Sequence, residues 1–504
     1  MNFIDRFLNG ITMYRLVLYY LMLLLGVAVI YCFLGVLHFN PFLMLVTIGI
    51  LVGVSWITNE LFSKVFNAPT NIESVYISAL ILALIVSPIK SVQDIPFIIW
   101  ASVLTMASKY ILAINKKHIF NPVAIAVVLT AYGFNGVASW WVGTSSMIPF
   151  LLLGALIVRK IQRFDLVFYF FLSTFVTMFG LTALKGGSME TVLHNVLFSS
   201  SLLFFAFVML TEPLTSPPTK LLQSIYGAIV GLFFAPQFHI GSFFASPEMG
   251  LVIGNVFTYV VSPKFKVITT LKEKMQIAPD IFEFLFVPEK KIAFVPGQYM
   301  EWTVPHSHTD SRGNRRYFTI ASSPTEDTLR LGVKFYPNGS SYKRALSTMD
   351  TKTPIIGAQV AGDFTLPADP KKKLVFVAGG IGITPFRSMI KYLIDTKQKR
   401  DIILIYSNRV RNEIIYADVF DQAQKELGIK TVYTLTDVNH ISPDWDQMKG
   451  RVDALMIQQE VPDFLNRTFY ISGTHAMVDA MHDLLKSMRI PEAQIKTDFF
   501  PGFV

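Results

Sequence analysis

The sequence predicts two fused bodies. The first is a polytopic α-helical membrane bundle of about ten spans over residues 1–262; the second joins an antiparallel β-barrel (263–367) to a doubly wound α/β domain (368–504). Three observations predict this. Apolar runs able to cross a hydrocarbon core of about 30 Å recur up to residue 262 and then stop. From Phe265 to Pro367, short alternating segments are punctuated by Pro, Gly, Asn and Asp, as in a small barrel. After Pro367, buried-strand and helix patterns alternate, as in a parallel sheet. The charged fraction of 16% is well under the roughly one quarter usual in soluble domains.

Taken in order, the spans fall near 17–37, 42–62, 74–89, 96–115, 122–142, 146–158, 166–184, 195–211, 221–236 and 249–262. The first keeps an Arg-flanked start and has no small-residue cleavage site, so it reads as a span and not as a removable signal. With a cytoplasmic N-terminus, the inner side receives Arg6, Arg15, Lys64, Lys116, Lys117, Arg159, Lys160, Arg163, Lys220, Lys264 and Lys266, and the outer side only Lys90 and Lys185. That bias predicts an integral protein of a bacterial inner or plasma membrane, with both termini and the second body cytoplasmic. The net charge of +9 is then a topology signal and a lipid-facing collar. A nucleic-acid partner is excluded, because the basic residues form no stripe with interleaved aromatics. The single cysteine, Cys32, reads as packing in an apolar run, and no Cys-ligated iron–sulfur cluster or other metal site is expected.

In the second body, FKVITTL, IFEFLFV, QYMEWTV, RYFTIAS, LRLGVKFY and IIGAQVAGDF read as strands. KLVFVAGG, DIILIYSNR, KTVYTL and RTFYISG are strands that alternate with helices opening at Thr384, Glu413 and His475. In GGIGITP (379–385), Gly379, Gly380 and Gly382 let the backbone approach a pyrophosphate. Thr384 is expected as N-cap, with Pro385 preset for the first helical turn. The free N–H groups of such a helix start favour an anion.

RYFTIAS, NGSSYKRAL, GGIGITP, YISGTHAMV and TDFFPGF, in that order, resemble the ferredoxin–NADP reductase superfamily over about 264–504. The resemblance implies FAD and either NADH or NADPH. It implies that Arg316 grips the FAD pyrophosphate, that Phe318 and Thr319 meet the isoalloxazine beside Tyr317, and that Ser322 closes the motif. Gly339, Ser340 and Ser341 look like the second phosphate-binding turn, and Lys334 is counted with these cofactor-binding residues. Arg315 reads as a solvated surface charge. Ser472, before Gly473, stands where many members have Cys close to the nicotinamide. Asp498 and Phe500 resemble the family's carboxylate and flavin-covering aromatic, the aromatic being either Phe500 or Phe503. Asn408 and Arg409 follow the strand that reads the adenosine ribose, and Arg409 and Arg411 are candidates for a 2′-phosphate. Thr319, Ser472, Asp498 and Phe500 are the expected catalytic set.

In the membrane body, KKHIFNPVAIAVVL (116–129), SMIPFLLLGALIVRK (146–160) and FVMLTEPLTSPPTK (207–220) resemble the flavin-bearing membrane subunits of the sodium-pumping NADH:quinone reductase and of the RNF complex, over about 75–262. That implies ten spans in two related halves. Those members attach FMN through a Thr in a Ser-Gly-Ala-Thr motif. Here the corresponding region reads ASWWVGTSSMIP, and GGSMET (186–191), with Thr191, lies elsewhere. A covalent flavin is therefore not expected; non-covalent FMN or riboflavin is. Asn-Pro at 121–122 and Glu-Pro-Leu-Thr-Ser-Pro-Pro at 212–218 break helices, which lipid tolerates only where protein or water satisfies the freed groups. Asn121, Pro122, Glu212 and Thr215 are the candidate membrane redox site, with an ordinary capped turn as the competing reading.

Together these features predict a membrane-bound flavoprotein oxidoreductase. NAD(P)H reduces FAD, and electrons pass to a quinone or flavin in the bundle. A haem relay is disfavoured because His38, His118, His194 and His239 fall at span ends. A redox-regulated ion transporter or channel, and a reductase with a merely anchoring bundle, are the alternatives.

Overall fold

The structure, a computed structural model, describes residues 4, 7, 8, 10–66, 72–114, 117–134, 136–198, 201–241, 243–262, 266–306, 309–310, 314–337, 339–351 and 353–500. Contacts divide the chain into Ile11–Lys266 and a second unit of Met1–Gly10 with Val267–Val504.

The first unit is helical. Its elements are α1 (Met13–Phe33), α2 (Pro41–Val65), α3 (Ile72–Ile85), α4 (Ile95–Ile111), α5 (Pro122–Phe134), α6 (Ala155–Ile161), α7 (Phe164–Leu184), α8 (Met189–Phe198), α9 (Lys220–Phe234) and α10 (Pro247–Val261). Local chemistry sets several starts. Asn40 caps α2 by accepting from Phe42 and Leu43 N–H, Ser246 caps α10 by accepting from Met249 N–H, and each helix has Pro in its first turn. A two-residue hairpin separates α4 from α5 (Ala113–Ile114 with Lys117–His118), and another separates α9 from α10 (His239–Ile240 with Phe243–Phe244).

The expected ten spans are not all present as spanning helices. Among the described residues only α1, α2 and α7 are long and apolar enough to cross a bilayer, and α8 with Leu202–Met209 makes a fourth only as a pair bent by 56°. The helices α3, α5, α9 and α10 hold 13–15 residues. At 1.5 Å per residue they reach only about 20–22 Å, short of a core of about 30 Å. The cause is local. α3 stops before Ser87–Pro88, α6 follows short 3₁₀ turns at 145–147 and 152–154 and ends on Gln162 at φ 55°, and a π turn occupies Phe205–Met209. Hydropathy counts apolar residues across such breaks without registering them.

Packing between α7 and α9 depends on two glycines one turn apart. A Cβ on Gly227 would lie 2.4 Å from the Leu166 carbonyl oxygen, and one on Gly231 would lie 2.5 Å from that of Phe170. The hydroxyl of Ser173 donates to the Ala228 carbonyl across the same seam, at 2.7 Å. Small residues of this kind let helix backbones approach closely. Gly231→Val should therefore cost about 1–3 kcal/mol, because backbone cannot retreat. Gly180→Val on α7, with open space around it, should change thermal unfolding in detergent little. Equal unfolding temperatures for the two variants would contradict this packing.

The second unit begins with six strands, β1 (Val267–Ala278), β2 (Ile281–Pro288), β3 (Tyr299–Thr303), β4 (Arg315–Thr319), β5 (Leu329–Lys334) and β6 (Pro354–Ala361). They form one antiparallel sheet in the order β4-β3-β6-β1-β2-β5. Just beyond β4, Ala321 N–H donates to the Arg330 carbonyl at 3.0 Å, drawing the sheet's two edges together. Phe284, Phe286 and Trp302 fill its interior, and none is exposed.

A parallel sheet follows, of β7 (Leu374–Gly379), β8 (Ile402–Asn408), β9 (Lys430–Leu435), β10 (Met448–Lys449), β11 (Thr468–Thr474) and β12 (Ile495–Phe500), in the order β10-β9-β8-β7-β11-β12. Leu374, Phe376 and Ala378 join the core on one face, while Val375 and Val377 join that on the other. Burial on both faces explains the unbroken apolar run of β7. The chain first adds β8, β9 and β10 on one side of β7 and then β11 and β12 on the other. Its topological switch point therefore lies between the ends of β7 and β11, where ligands of such sheets bind.

Candidate functional site

At that switch point β7 runs into a 3₁₀ turn, Gly380–Ile383, and then into α12 (Thr384–Asp395). Gly380 has φ +53° with nothing near its Cβ position, so its requirement is conformational. Gly382 is required for space, because a Cβ there would lie 2.4 Å from the Ser472 carbonyl oxygen. Gly379 and Gly473 both lie under Met477, whose sulfur would be 2.0 and 2.7 Å from their Cβ positions. The N-cap role expected of Thr384 is not observed. The 3₁₀ turn leads directly into the helix, so Thr384 is itself helical and its hydroxyl donates to the Ile381 carbonyl at 3.2 Å. Pro385 occupies the first turn, as its fixed φ favours.

Register brings the rest of the C-terminal group to the same place. Ser472 pairs with Ala378 on one side and with Asp498 on the other. Ser472 is fully buried and its hydroxyl has no hydrogen-bond partner. Asp498 is half-buried, and desolvation pushes its carboxyl up to about 7, poised between acid and base at neutral pH. Phe500 belongs to β12 by its backbone and pairs with Thr474; its side chain, and all of Phe503, lie outside the described residues. Asn408 ends β8 and is buried. Arg409 is largely exposed, 3.7 Å from Asp437, and Arg411 pairs with Asp444 at 2.6 Å. Neither acid was foreseen, because each lies on a separate loop about 30 residues away.

The β4 strand presents alternate residues to opposite sides. Arg316 is buried, with its guanidinium 5.1 Å over the Tyr342 ring, and Phe318 lies 6.0 Å from the same ring. Thr319 is buried with its hydroxyl unpartnered. Tyr317 points the other way, its hydroxyl bonded to Glu301 and Gln359 at 3.0 Å each. Arg315 is not a solvated charge: it stands 3.5 Å from the buried carboxylate of Glu301 on β3. The Ser322 hydroxyl accepts from Arg330 N–H, so it fixes a turn. Lys334 pairs with Glu413 at 3.0 Å. In the second turn, Gly339 accepts from Arg344, and Ser340 caps α11 (Ser341–Ser347) by accepting from Lys343 N–H. The Ser341 N–H donates to Asp310, and the Ser341 hydroxyl meets His306 at 3.1 Å.

These residues fit a dinucleotide and a flavin. Thr319 and Ser472 hold buried hydroxyls that no described residue satisfies, a cost of roughly 1–3 kcal/mol each unless a ligand supplies the partner. Gly380 and Gly382 keep side chains away from the turn where a pyrophosphate would meet helix N–H groups.

In the helical unit, Asn121 and Pro122 begin α5. The Asn121 carbonyl oxygen of the side chain accepts from Val123 and Ala124 N–H, and its amide donates to Glu212 at 2.8 Å. Thr215 donates to the same carboxylate at 3.0 Å. Asn255 on α10, which hydropathy could not reveal, completes the knot by accepting from Asn121 N–H and donating to the Thr215 carbonyl. His118 lies 3.6 Å from Glu212, with Nε2 buried and lacking a hydrogen bond. Burial pulls His118 below its ordinary value. Burial would raise Glu212, but His118, Thr215 and the charge of Lys109 outweigh it and keep the carboxyl low. No group of three or more His, Cys, Asp or Glu able to hold a metal occurs among the described residues.

The oxidoreductase NAD-binding domain family matches residues 376–483. The chain is 26% identical over 212 residues to the glycine betaine monooxygenase reductase subunit of Pseudomonas aeruginosa, covering 41% of this chain and 57% of that one. It is 24% identical over 246 residues to a flavohemoprotein of Oceanobacillus iheyensis, covering 47% and 58%. Among solved structures it is similar to an Amycolatopsis cytochrome P450 reductase, at 25% identity and a TM-score of 0.42, covering 47% and 69%. The C-terminal half thus matches the ferredoxin–NADP reductase and flavohemoprotein-like NAD-binding superfamily. The chain spans a little over half the length of these curated relatives.

Proposed function

We propose that this chain is an NAD(P)H-dependent flavoprotein oxidoreductase of the membrane. The observation that carries the reading is the convergence of the Gly379–Gly382 turn, Ser472 and Asp498 at one switch point, in a unit where the Thr319 and Ser472 hydroxyls are buried without partners. Bound FAD supplies a two-electron acceptor for a hydride and a one-electron donor to the next carrier. Arg316 neutralises pyrophosphate with a planar fork suited to two oxygens. Thr319 offers a hydroxyl to the flavin ring, and Ser472 one to the nicotinamide. Asp498 exchanges a proton near pH 7 beside them. Arg409 and Asn408 hold the adenosine end. Flavin extracted from purified protein should include one FAD per chain, by mass spectrometry. Protein purified without FAD, and unable to take it up, would contradict the reading.

The acceptor is a quinone head group or a non-covalent flavin, FMN or riboflavin, bound beside Asn121, Pro122, Glu212 and Thr215. Support comes from a half-buried carboxylate with an imidazole 3.6 Å from it at broken helix ends, close in sequence to a π turn, a feature frequent at functional sites. The resemblance of residues 75–262 to flavin-bearing membrane subunits, the cytoplasmic termini and the lipid surroundings belong to the same proposal. Glu212→Gln keeps the amide-compatible contacts and removes the charge. It should slow quinone reduction about tenfold, for a charged hydrogen bond of roughly 1.5 kcal/mol or more. NAD(P)H-dependent bleaching of FAD should not change. Equal quinone rates in variant and parent would leave the bundle as an anchor.

A further inference from the structure

Between the flavin strand and the nucleotide helix runs a chain of buried and half-buried charges that no step above uses. Arg387 lies on α12, three residues after Thr384, and is 4% exposed. One of its terminal nitrogens donates to the Ala321 carbonyl at 2.9 Å and the other to Glu326 at 3.0 Å. Glu326 also accepts from the Ser323 N–H at 2.7 Å and from Arg330 Nε at 3.0 Å. Arg330 continues the chain to Glu283 on β2, 2% exposed. The next residue on α12, Ser388, is fully buried and donates to the Ser322 carbonyl at 2.7 Å. Burial alone would raise the Glu326 carboxyl, but Arg387, the Ser323 N–H and Arg330 hold it below the ordinary range.

The bonding pattern is specific in what it connects. Residues 321–323 directly continue β4, which ends at Thr319. Arg387 and Ser388 sit in the first turns of the helix that starts at the nucleotide turn. Two rigid elements, each carrying one half of the proposed redox pair, are thus tied within a few residues of their reacting ends. A buried ion pair of this kind is weak evidence for stability, since desolvation offsets its attraction. It does fix geometry, because a forked guanidinium bonded at several points has one allowed position. Lys334 and Glu413, joined at 3.0 Å, make a second tie from β5 to the segment after β8.

We infer that Arg387, Glu326 and Ser388 are positioning residues for hydride transfer, holding the NAD(P)H-binding helix at a fixed separation from the flavin strand. The inference rests on the reductase reading above. Misplacement of reacting atoms by about 1 Å can cost on the order of 100-fold in rate. The test is anaerobic stopped-flow reduction of the full-length, FAD-loaded protein by NADH and by NADPH. Arg387→Lys keeps the charge and loses the fork; Ser388→Ala removes one bond and is the milder variant should the first fold poorly. The limiting rate of flavin bleaching per bound FAD should fall about tenfold or more in Arg387→Lys, and severalfold in Ser388→Ala. FAD content and the NAD(P)H concentration for half-maximal rate should stay within about twofold. Unchanged limiting rates per bound FAD in both variants would overturn the inference, even if FAD content or unfolding temperature fell. A parent protein that holds FAD but is bleached by neither NADH nor NADPH would contradict the reductase reading itself, and the inference with it.

Discussion

Arg316→Ala is expected to weaken FAD retention about 10- to 100-fold, the loss of a charge-assisted phosphate contact worth roughly 1.5–3 kcal/mol. Arg316 is buried on a strand whose neighbours hold it by stacking and by backbone, with its guanidinium over Tyr342 and one nitrogen donating to the Arg315 carbonyl. A forked guanidinium suits a pyrophosphate, the anion that the unit's proposed chemistry provides. Arg316→Lys should fall between variant and parent, since an ammonium preserves charge but not the fork. Flavin content after gel filtration reads the result. Full occupancy in Arg316→Ala would remove Arg316 from the cofactor site.

Gly382→Val should abolish NAD(P)H-dependent bleaching while FAD remains bound. The new Cβ would lie 2.4 Å from the Ser472 carbonyl oxygen, 2.6 Å from its carbon and 2.7 Å from Gly473 Cα, all backbone of β11. Backbone of a central strand cannot shift as a side chain can, so the turn must move, at a cost of about 3 kcal/mol or more. The flavin strand belongs to the other sheet and should keep its cofactor. Gly380→Ala is the comparison: its surroundings are open and only the left-handed φ opposes it, for about 1–2 kcal/mol. Stopped-flow bleaching at saturating NADH and NADPH checks both. A Gly382→Val protein reduced at the parent rate would contradict the close approach.

The sequence made the reductase-like module legible because its signals are local. An unbroken apolar strand, a glycine turn and a proline at the next helix start lie within 20 residues, so β7 and α12 could be read directly. Thr384 is helical where the sequence predicts a cap, because a 3₁₀ turn and an N-cap loop share the same residue types. The tie from Arg387 to Glu326 crosses 61 positions, and that from Asn121 to Glu212 crosses 91. No periodicity carries information over such distances; a charged residue inside the buried face TPFRSMIKYLI was the one available hint. In the helical unit, apolar content located helices near each expected span but overstated how many are long enough to cross. Ser87–Pro88 and the π turn at Phe205–Met209 lie inside the expected spans 74–89 and 195–211, where a run of apolar neighbours masks them.

The most direct measurement is an anaerobic titration of the purified full-length protein, followed by the flavin absorbance band. One equivalent of NADH or NADPH per bound FAD should bleach the band completely, and added quinone should restore it. A flavin band unmoved by excess of both nucleotides would contradict the account.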